Sequence, residues 1–346
     1  MKILGIETSC DETSAGIVED GNKLLANIVR TQIDIHKEYG GVVPEIAARN
    51  HIEVILPVVN QSLRTAKLNW KEIDGIAVTN GPGLMGSLLI GTLTARMLAL
   101  IHRKPIYPVH HVLGHIYANW LLDDKPEFPL IALIVSGNHT HLFYLESHLK
   151  VKLLGRTTDD AVGEAYDKVS KLIGFGYPGG PFIDKAFHRG DLNFLDLPTP
   201  KVPGKYDFSF SGLKTAVLRR SQELIGEDFR FPSWQIAERL TEEQRDSIAA
   251  SFQKKAVEIL VKTTKKAYDE FNPKSVIIGG GVAANQYLRE ELQKALPIKL
   301  NYAPIDLCTD NGAMIAALGC FMAEYSQPTD PRDIKTNPSL KIDYQK

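Results

Sequence analysis

The sequence predicts an α/β protein made of two domains of like topology that face each other across a cleft. Its 346 residues exceed what one compact core normally holds, which indicates two domains. A pattern of apolar strand, small polar tip and apolar strand occurs twice, at residues 1–18 and 130–145. Because helical segments follow each of these predicted hairpins, we expect one layered α/β structure in each half of the chain.

The first half begins with three predicted strands joined by tight turns. Their apolar runs lie at residues 2–6, 14–18 and 23–29. Small and acidic residues form the tip between the first two strands, namely Thr8, Ser9, Asp11, Glu12 and Thr13. This composition predicts a β-hairpin whose tip offers free backbone amide groups.

Two helices and a buried strand complete the first half. We expect a helix at residues 44–66, a strand at 74–79 and a second helix opened by Asn80-Gly-Pro-Gly-Leu-Met-Gly-Ser87. The glycines there permit close contact between helix and strand, and the segment lacks the Gly-Lys-Ser/Thr ending of a phosphate-binding P-loop. Close packing is therefore the role that we predict for this segment.

The second half is richer in helix and contains one long loop. Helices are predicted at residues 159–173, 212–224 and 241–271, and a strand at 275–278 leads through three glycines into a helix that ends near residue 296. The loop at residues 174–211 is rich in glycine and proline, and its length is typical of a functional loop or a lid.

These elements predict domains at residues 1–125 and 126–325. Residues 326–346 contain three prolines, and we expect them to form a loosely held tail.

Composition limits the classes of function. The apolar fraction of 44% and the charged fraction of 23% are those of an ordinary globular protein. A net charge of -1 does not favour nucleic-acid binding by the chain as a whole, so an RNA partner would need a local basic patch or a helper protein. One candidate patch follows residue 200. It would either contact phosphate groups or be an ordinary solvent-exposed surface, and it consists of Lys201, Lys205, Lys214, Arg219 and Arg220.

Cysteine usage and the N-terminus predict where the protein works. Three cysteines without a C-x-x-C pair favour a reducing compartment over a disulfide framework or a zinc ribbon. The chain starts directly in a strand without a signal-peptide pattern, and no run of 18 uninterrupted apolar residues occurs. We expect a cytoplasmic protein that does not span a membrane.

The segment Pro108-Val-His-His-Val-Leu-Gly-His115 indicates a metal site. His111 and His115 are four residues apart, so on a helix they share one face and can bind one metal ion. The alternative is that both are buried histidines satisfied by backbone groups. His110 would orient a metal ligand, and its alternative is a packed or solvent-facing imidazole. The H-E-x-x-H pattern of zinc proteases is absent, which removes the general base of a metalloprotease.

A third ligand is available near the other end of the chain, in Cys308-Thr-Asp-Asn-Gly-Ala313. Asp310 is the candidate, and its alternative role is to cap the helix that begins close to Asn311. Two histidines and one carboxylate would leave coordination positions open, which suits a catalytic ion better than a structural one.

The two hairpin tips and the late glycine run are consistent with a nucleotide site. Backbone amides at such tips bind phosphate oxygens without lysine. The run Gly279-Gly-Gly281 would let a nucleotide lie directly on the main chain. Its alternative role is a strand-to-helix turn that needs positive φ. Together these features resemble the nucleotide-binding architecture of actin, hexokinase and Hsp70, which implies two such domains.

Nine motifs narrow the resemblance to one family. They are Ile3-Leu-Gly-Ile-Glu-Thr-Ser-Cys-Asp-Glu-Thr13, Tyr39-Gly-Gly-Val-Val-Pro-Glu45, Asn80-Gly-Pro-Gly83, His110-His-Val-Leu-Gly-His115, Gly163-Glu-Ala-Tyr-Asp-Lys168, Tyr177-Pro-Gly-Gly-Pro181, Phe208-Ser-Phe-Ser-Gly-Leu-Lys-Thr215, Gly279-Gly-Gly-Val-Ala-Ala-Asn285 and Cys308-Thr-Asp-Asn-Gly312. In this order they resemble the motifs of the bacterial tRNA threonylcarbamoyl transferase family TsaD, over about residues 1–325.

The resemblance implies an acyltransferase. Members transfer a threonylcarbamoyl group from threonylcarbamoyl-AMP to the exocyclic amine of the adenosine 3′ of the anticodon, in tRNAs that read codons beginning with A. The metal ligands of the family match His111, His115 and Asp310, and the ion would be Fe²⁺ or Zn²⁺. The substrate contacts match Ile134, Val135, Ser136, Gly137, Asn138, Asp167, Gly180, Asp184 and Asn285.

Two details concern the hairpin tips. Asp11 and Glu12 are candidates for orienting the attacking amine, and otherwise they are solvated turn carboxylates. The family usually has a second glycine where this chain has Asn138, so we expect Asn138 to contact substrate through its backbone only.

The resemblance also implies a tRNA substrate and two helper proteins, a paralogous subunit without metal (TsaB-like) and a small ATPase (TsaE-like). Leu84, Leu88, Leu89 and Leu93 would form such a protein interface or pack in the core. Two alternatives stay open. A small-molecule kinase of the same fold would hold Mg²⁺ mainly through oxygen atoms and would leave the histidine pair without a purpose. A non-catalytic scaffold of a tRNA-modification complex would not need metal ligands.

Overall fold

Two five-stranded sheets with the same topology form the framework of the protein. The structure is a computed structural model that describes residues 1–342. The first sheet contains β1 (Lys2–Glu7), β2 (Glu12–Glu19), β3 (Lys23–Thr31), β4 (Gly75–Gly81) and β5 (Ile106–His110). The second contains β6 (Leu130–Val135), β7 (Thr140–Ser147), β8 (Lys150–Arg156), β9 (Ser275–Gly279) and β10 (Leu300–Tyr302).

Strand order repeats from sheet to sheet. The first sheet has the order β3-β2-β1-β4-β5 and the second β8-β7-β6-β9-β10. In each, three antiparallel strands form a meander and the last two strands run parallel to the first strand of that meander. The predicted pair of α/β units with a hairpin at the start of each is therefore present. The predicted boundary between residues 125 and 126 separates the two sheets, and it stays a prediction.

Twelve helices within the described residues surround the sheets. They are α1 (Ile33–Lys37), α2 (Pro44–Ala66), α3 (Met85–His102), α4 (His111–Tyr117), α5 (Val162–Leu172), α6 (Gly179–Phe187), α7 (Ser211–Leu224), α8 (Ile236–Arg239), α9 (Glu242–Phe271), α10 (Gln286–Ala295), α11 (Ile305–Cys308) and α12 (Gly312–Tyr325). The region 174–211, predicted as one long loop, is not entirely irregular, because it contains α6. The residues Gly179-Gly-Pro181 at its start are typical of a loop, which explains the error.

The first sheet is covered on both faces. Leu4 and Ile6 of β1 point into a core that α2 and α3 close. Ile3 and Gly5 point to the opposite face, where α12 packs. The side chains alternate because successive residues of a strand point to opposite faces. Helix α12 thus lies in the core that also contains the strands of the second sheet.

Helix α12 packs on the first sheet, although the predicted domain boundaries place it in the second half of the chain. A Cβ atom added at Gly5 would lie 2.2 Å from the Gly312 carbonyl oxygen, and one at Gly16 would lie 2.3 Å from the Ala313 nitrogen. The helix therefore rests directly on the backbone of β1 and β2. Ser14 Oγ accepts a hydrogen bond from Gly312 N at 2.7 Å and fixes the start of the helix.

The prediction of a loosely held tail is wrong for residues 326–342. Ile334 is buried in the core between the first sheet and α2 and α3. Thr329 forms a bridge with Ile106, and Asn337 N donates to Asn80 O at 2.8 Å. The segment has few apolar residues, and backbone hydrogen bonds to the first sheet hold it in place. Residues 343–346 of the predicted tail lie outside the described residues.

Among residues 1–342, one helix, α3, is long and apolar enough by composition to cross a membrane. In the structure one face of it packs against β4 and α2. Ser87, Leu88, Gly91 and Ala95 belong to this buried face. Leu89, Leu93, Met97 and Ile101 point away from the sheet and are exposed. Helix α3 therefore has one buried face and one exposed apolar face, as does an outer-layer helix of an α/β domain.

Candidate metal centre

The parallel strands of the first sheet bring three polar residues to one edge. β1 ends at Glu7, β4 carries Thr79 near its end, and β5 ends directly before His111. Because parallel strands present their carboxyl ends at the same edge, these side chains meet there. Thr79 Oγ1 donates to Glu7 Oε2 at 2.6 Å, and the same oxygen lies 3.0 Å from His111 Nδ1.

Helix α4 places His111 and His115 on one face, as the sequence predicts. His111 is the first residue of the helix, and both side chains are almost completely buried. Their rings are 4.9 Å apart and nearly perpendicular. The two imidazole rings are therefore in edge-to-face contact and border the same small space.

Asp310 reaches this space from the far end of the chain. Its Oδ1 lies 3.2 Å from His115 Nε2 and 3.6 Å from His111 Nε2. Asp310 does not cap α12, because the side chain of Asn311 accepts the hydrogen bond from Met314 N. The alternative capping role is thus filled by the neighbouring residue, and the Asp310 carboxylate is left to face the histidines.

The trio fits a divalent cation. Ligand atoms from His111, His115 and Asp310 all lie within 4.8 Å of one another. Both ring nitrogens of His115 are buried without a hydrogen bond of normal geometry among residues 1–342, although Nε2 lies 3.2 Å from Asp310 Oδ1. A buried polar atom without a partner is costly, and a metal bond to Nε2 would remove that cost for this atom. The chemistry of two imidazoles and one carboxylate suits a transition metal.

Electrostatics at the trio favour a cation as well. Burial raises the pKa of Asp310, but the charges of His111 and His115 outweigh it and hold this pKa well below its usual range. Burial lowers the pKa of His111, whereas the Asp310 and Glu7 carboxylates raise it to about 9. The two carboxylates therefore favour a positive charge at His111. Without a metal a proton supplies that charge, and a bound metal ion would supply it instead.

Sequence reasoning missed Glu7 as part of this site. Glu7 is fully buried and contacts the nitrogen of His111 that faces away from Asp310. Ser9 Oγ lies 3.1 Å from the same nitrogen. Carboxylates commonly orient a metal-binding histidine in this way. A single acidic residue at the end of an otherwise apolar strand was the signal that could have indicated it.

The two hairpin tips meet beside the trio. Asn138 Nδ2 of the second tip lies 3.9 Å from Cys10 Sγ of the first. The ring of His139 is 5.8 Å from that of His111, and burial followed by the charge of His111 lowers the pKa of His139 well below its usual value. His139 is a second neighbour of the trio that sequence reasoning did not single out.

Asn138 does not need the left-handed backbone that its place in the family motif suggested. Neither Gly137 nor Asn138 has a positive φ angle. The tip instead closes through hydrogen bonds between Ser136 and His139, from Ser136 N to His139 O at 2.8 Å and from His139 N to Ser136 Oγ at 3.2 Å. Asparagine is therefore compatible with this turn.

Asp11 and Glu12 lie at the start of β2, beside the first tip. Asp11 is buried, and burial together with the negative charges of Asp11 and Asp310 raises the pKa of Glu12 well above its usual value. Neither residue is the solvated turn carboxylate of the alternative interpretation. A carboxyl group whose pKa is raised by burial and by neighbouring negative charges holds a proton more readily than an ordinary glutamic acid, which makes Glu12 a candidate for proton exchange.

The predicted substrate residues form a continuous surface in the second half. Ile134 and Val135 are fully buried in β6 and Ser136 is buried directly after it, so the exposed part of this segment begins at Gly137. A Cβ at Gly163 of α5 would lie 2.5 Å from Ser136 O, which shows how closely α5 approaches the tip. One turn further along α5, Asp167 accepts a hydrogen bond from Gly179 N at 2.6 Å. Burial raises the pKa of Asp167 to about 6.

The surface continues along α6 to the glycine run. A Cβ at Gly180 would meet nothing within 4 Å, so space is open beside it. Asp184, one turn later, accepts a hydrogen bond from Asn285 Nδ2 at 2.9 Å. Gly280 has a φ of 89° and lies against Val135 O, which confirms the turn role of this glycine run.

Two sheets of repeated topology, with a candidate metal site of His111, His115 and Asp310 beside the hairpin tips, define a class of proteins with an actin- and hexokinase-like fold. The family model of tRNA N6-adenosine threonylcarbamoyltransferase, TsaD, matches residues 23–317. The chain is 50% identical over 323 residues to the tRNA N6-adenosine threonylcarbamoyltransferase of Symbiobacterium thermophilum, covering 92% of this chain and 91% of that protein. It is 47% identical over 342 residues to the protein of the same name from Dehalococcoides mccartyi, covering 99% of each. The protein belongs to the TsaD family.

Solved structures agree on the fold. The ROK hexokinase of Thermus thermophilus matches with a TM-score of 0.50 and 19% identity, covering 94% of this chain and 99% of that one. Component A of the (R)-2-hydroxyglutaryl-CoA dehydratase of Acidaminococcus fermentans matches with a TM-score of 0.52 and 14% identity, covering 94% and 100%. At these identities the likeness concerns architecture alone, and it confirms the predicted fold class.

Proposed function

We propose that this protein transfers the threonylcarbamoyl group of threonylcarbamoyl-AMP to the exocyclic amine of the adenosine 3′ of the anticodon, in tRNAs that read codons beginning with A. The observation that carries the proposal is the convergence of His111, His115 and Asp310 beside the contact between the two hairpin tips. Membership in a family named for this reaction supports the substrate class.

We propose that His111, His115 and Asp310 hold one divalent ion per subunit, Fe²⁺ or Zn²⁺. Two nitrogen donors and one carboxylate are the ligands that both ions accept. When bound, the ion supplies Lewis-acid stabilisation of charge on phosphate and carbonyl oxygens. Glu7 orients the His111 ring through Nδ1 at 3.0 Å.

The residues of the second half would bind the adenylate donor. Ser136 lies buried at the end of β6, Gly137 and Asn138 are exposed after it, and Asn138 faces the tip of the first hairpin at 3.9 Å from Cys10 Sγ. Asp167, Gly180, Asp184 and Asn285 extend the same surface. Holding the acyl donor and the amine in one orientation is the main contribution that such a surface makes to the rate.

Glu12 is the group of the first tip that we assign to proton handling. Burial first, and then the negative charges of Asp11 and Asp310, raise the pKa of Glu12 well above its usual value, so that its carboxyl group holds a proton more readily than an ordinary glutamic acid. Asp11 lies beside it and raises this pKa further through its negative charge. We therefore retain Glu12 and Asp11 as the candidate pair for orienting the attacking amine.

The alternatives are less well supported. A small-molecule kinase would bind Mg²⁺ through oxygen ligands, yet the cluster at the tips offers two imidazole nitrogens. A non-catalytic scaffold would have no need of a buried Glu7 that orients one of these imidazoles. The curated relatives are named as transferases.

Partner proteins and tRNA would use different surfaces. The exposed apolar face of α2 and α3 borders a groove of about 520 Å³, and we assign it to the paralogous TsaB-like subunit. Leu89 and Leu93, predicted as interface residues, lie on this face, whereas Leu88 is buried in the core. The TsaE-like ATPase and a cytoplasmic setting remain part of the proposal on the basis of the family.

A local basic surface would contact tRNA. Lys205 and Arg220 of the predicted cluster are paired with Glu270 and Glu223. Lys201, Lys214 and Arg219 form no ion pair with an acidic group within the described part of the chain, so their charge is free for phosphate.

The proposal is tested with the His111→Ala variant. Metal content and transfer of threonylcarbamoyl from threonylcarbamoyl-AMP to tRNA are measured on the protein reconstituted with its helper proteins. We expect the variant to lose its metal and to lose transfer by about 100-fold or more, since an incomplete ligand set weakens binding strongly. His102→Ala is the matched control, because His102 stacks on Trp70 at 4.0 Å outside the site. Undiminished transfer by folded His111→Ala would refute the assigned role.

A further inference from the structure

Three polar side chains form a closed hydrogen-bonded triangle behind the substrate surface. Gln253 of α9 is completely buried, and its Nε2 donates to Asp184 Oδ1 at 2.9 Å. Its Oε1 accepts from Asn285 Nδ2 at 3.1 Å. Asn285 Nδ2 also donates to Asp184 Oδ1 at 2.9 Å. The triangle, defined as Asp184, Gln253 and Asn285, thus joins α6, α9 and the start of α10.

A backbone amide fixes the direction of every hydrogen bond in the triangle. Leu288 N can only donate, and it donates to Asn285 Oδ1 at 2.8 Å. The Asn285 amide must therefore direct its NH₂ group toward Asp184 and Gln253. Because Asn285 donates to Gln253 Oε1, the Gln253 amide must in turn direct its own NH₂ group toward Asp184. Only one arrangement satisfies all three side chains.

This arrangement leaves one oxygen of Asp184 available. Oδ1 accepts both N–H groups, and no hydrogen bond within residues 1–342 reaches Oδ2. Asp184 is half-buried and lies one helical turn after Gly180, beside which space is open. A free carboxylate oxygen held in one position on such a surface accepts a hydrogen bond from a hydroxyl group.

We propose that Gln253 is a positioning residue for donor binding, which holds Asp184 and Asn285 in the one arrangement that presents Asp184 Oδ2 to a hydroxyl of the bound nucleotide. This inference rests on the proposed function. Gln253 has no exposed surface and does not contact the nucleotide itself. Its effect is therefore expected on the binding of the adenylate and not on the chemical step.

The test uses Gln253→Leu and Gln253→Glu in the full chain with its helper proteins. KM for threonylcarbamoyl-AMP and kcat are measured between pH 6 and pH 8 and divided by the wild-type values at each pH. Leucine fills the space but removes both hydrogen bonds. We expect it to raise KM about tenfold or more at every pH, with kcat within about twofold, as for loss of hydrogen bonds to a charged group.

Gln253→Glu provides a rescue that a merely structural role would not produce. At pH 8 two carboxylates would face each other at the distance of the present hydrogen bond, and KM rises about as much as in the leucine variant. At lower pH the pair shares a proton. The protonated carboxyl group of the variant side chain then donates its hydroxyl hydrogen to Asp184, its carbonyl oxygen accepts from Asn285, and KM returns toward the wild-type value.

The phenols that face the triangle do not interfere with this pH profile. Tyr166 lies on α5 and Tyr287 on α10, and burial raises the pKa of both. They stay neutral between pH 6 and pH 8. Gln222→Glu is the matched control, since Gln222 is a buried helical glutamine whose amide donates only to the Phe229 and Phe231 carbonyls. Its amide nitrogen has no carboxylate partner, so we expect a loss of stability without a change in the relative KM.

Each outcome bears on one of the two claims. A KM ratio for Gln253→Glu that falls as the pH falls, while that for Gln253→Leu stays high, supports the positioning role. An unchanged KM in Gln253→Leu, or a pH-independent KM ratio in Gln253→Glu, overturns it while leaving the transfer reaction intact. A wild-type protein that makes no product from threonylcarbamoyl-AMP and tRNA contradicts the proposed function, and this inference with it.

Discussion

Glu7 controls the orientation of His111 from the end of β1. The Glu7 carboxylate accepts hydrogen bonds from Thr79 Oγ1 and Ser9 N and lies 3.0 Å from His111 Nδ1. Since all of these contacts are buried, Glu7 cannot exchange them for water. The ring of His111 is thereby held with Nε2 toward Asp310.

We predict that Glu7→Gln lowers metal affinity by about 10- to 100-fold, as is typical when the group that orients a metal-binding histidine is changed. The amide keeps the shape of the side chain but loses the negative charge that favours a cation. Competition with a chromophoric chelator measures the affinity. Glu72→Gln serves as control, because Glu72 only completes the capping box of a short helix with Asn69. Equal metal affinity for Glu7→Gln and wild type would contradict the role of Glu7.

Helix α12 depends on glycines in the strands beneath it. Gly16 of β2 leaves room for the backbone of Ala313, and Gly5 of β1 leaves room for Gly312 and Ala316. Asp310 is two residues before this helix, so the height of α12 above the sheet sets the distance from Asp310 to the histidines. Packing of the element and geometry of the metal site are therefore coupled.

We predict that Gly16→Ala destabilises the protein by about 1–3 kcal/mol and weakens metal binding, because the added methyl group forces the start of α12 away from the sheet. Chemical denaturation and the chelator competition measure the two effects. Gly212→Ala in α7 is the matched control, since a Cβ there meets nothing within 4 Å and alanine favours a helix. Normal metal affinity in Gly16→Ala would show that α12 does not set the position of Asp310.

The C-terminal segment acts as part of the first domain. Arg96 Nε of α3 donates to Pro331 O at 2.6 Å, and His110 Nε2 lies 3.2 Å from Leu340 O. The segment thus crosses from the outer helix layer to the strand end next to His111.

We predict that Ile334→Ala destabilises the protein by about 2–3 kcal/mol, since truncation of a buried isoleucine removes apolar contacts and leaves a cavity. The melting temperature falls accordingly. Lys335→Ala, at the exposed neighbouring position, is expected to stay within about 0.5 kcal/mol of wild type. A melting temperature of Ile334→Ala equal to that of the control would mean that the segment adds nothing to the fold.

At the scale of the whole molecule, the two halves meet through an aromatic cluster. His148, in the turn between β7 and β8, stacks on Phe321 of α12 with ring centroids 3.9 Å apart. Trp120 and Phe128 pack around the same imidazole. Burial lowers the pKa of His148 to about 4.

This shift predicts loss of stability in mild acid. The unfolded chain has a histidine pKa of about 6.5, so between pH 6.5 and pH 4 it binds more protons than the folded protein, and the free energy of unfolding falls as the pH falls. Below pH 4 both states are protonated and the contribution no longer changes. We expect His148→Phe to reduce the slope near pH 5 by about 1 kcal/mol per pH unit or less, because the ring is only partly buried.

Urea denaturation at pH 5 and pH 7 measures this slope. His110 and His141 also have low pKa values, about 3 and about 4, so part of the acid sensitivity remains in the variant. A slope identical to that of wild type would exclude His148 as a contributor.

Much of this architecture is accessible from sequence because local signals agree with it. The apolar runs before and after small tips predicted β1, β2, β6 and β7, and the predicted helices at residues 44–66 and 241–271 agree closely with α2 and α9. β8 and β10 were missed, because β8 is a lysine-rich edge strand and β10 has three residues.

Some residues of the candidate site could be predicted from the sequence, and others could not. His111 and His115 were predicted from spacing, because a helix converts a separation of four residues into proximity. The contact of α12 with the first sheet depends on glycines nearly 300 residues away from it, and local patterns carry no information on such pairings. The role of Gln253 could not be predicted from the sequence for a related reason. In a 30-residue amphipathic helix, no local pattern distinguishes it from the other polar residues.

The first domain is built from both ends of the chain, and this has a consequence for biosynthesis. Strands β1 and β2 are made nearly 300 residues before the helix that covers them and the aspartate that precedes it. A nascent or prematurely terminated polypeptide therefore has both imidazoles without their acidic counterpart. The complete set of three proposed ligands therefore exists only after synthesis has passed residue 310.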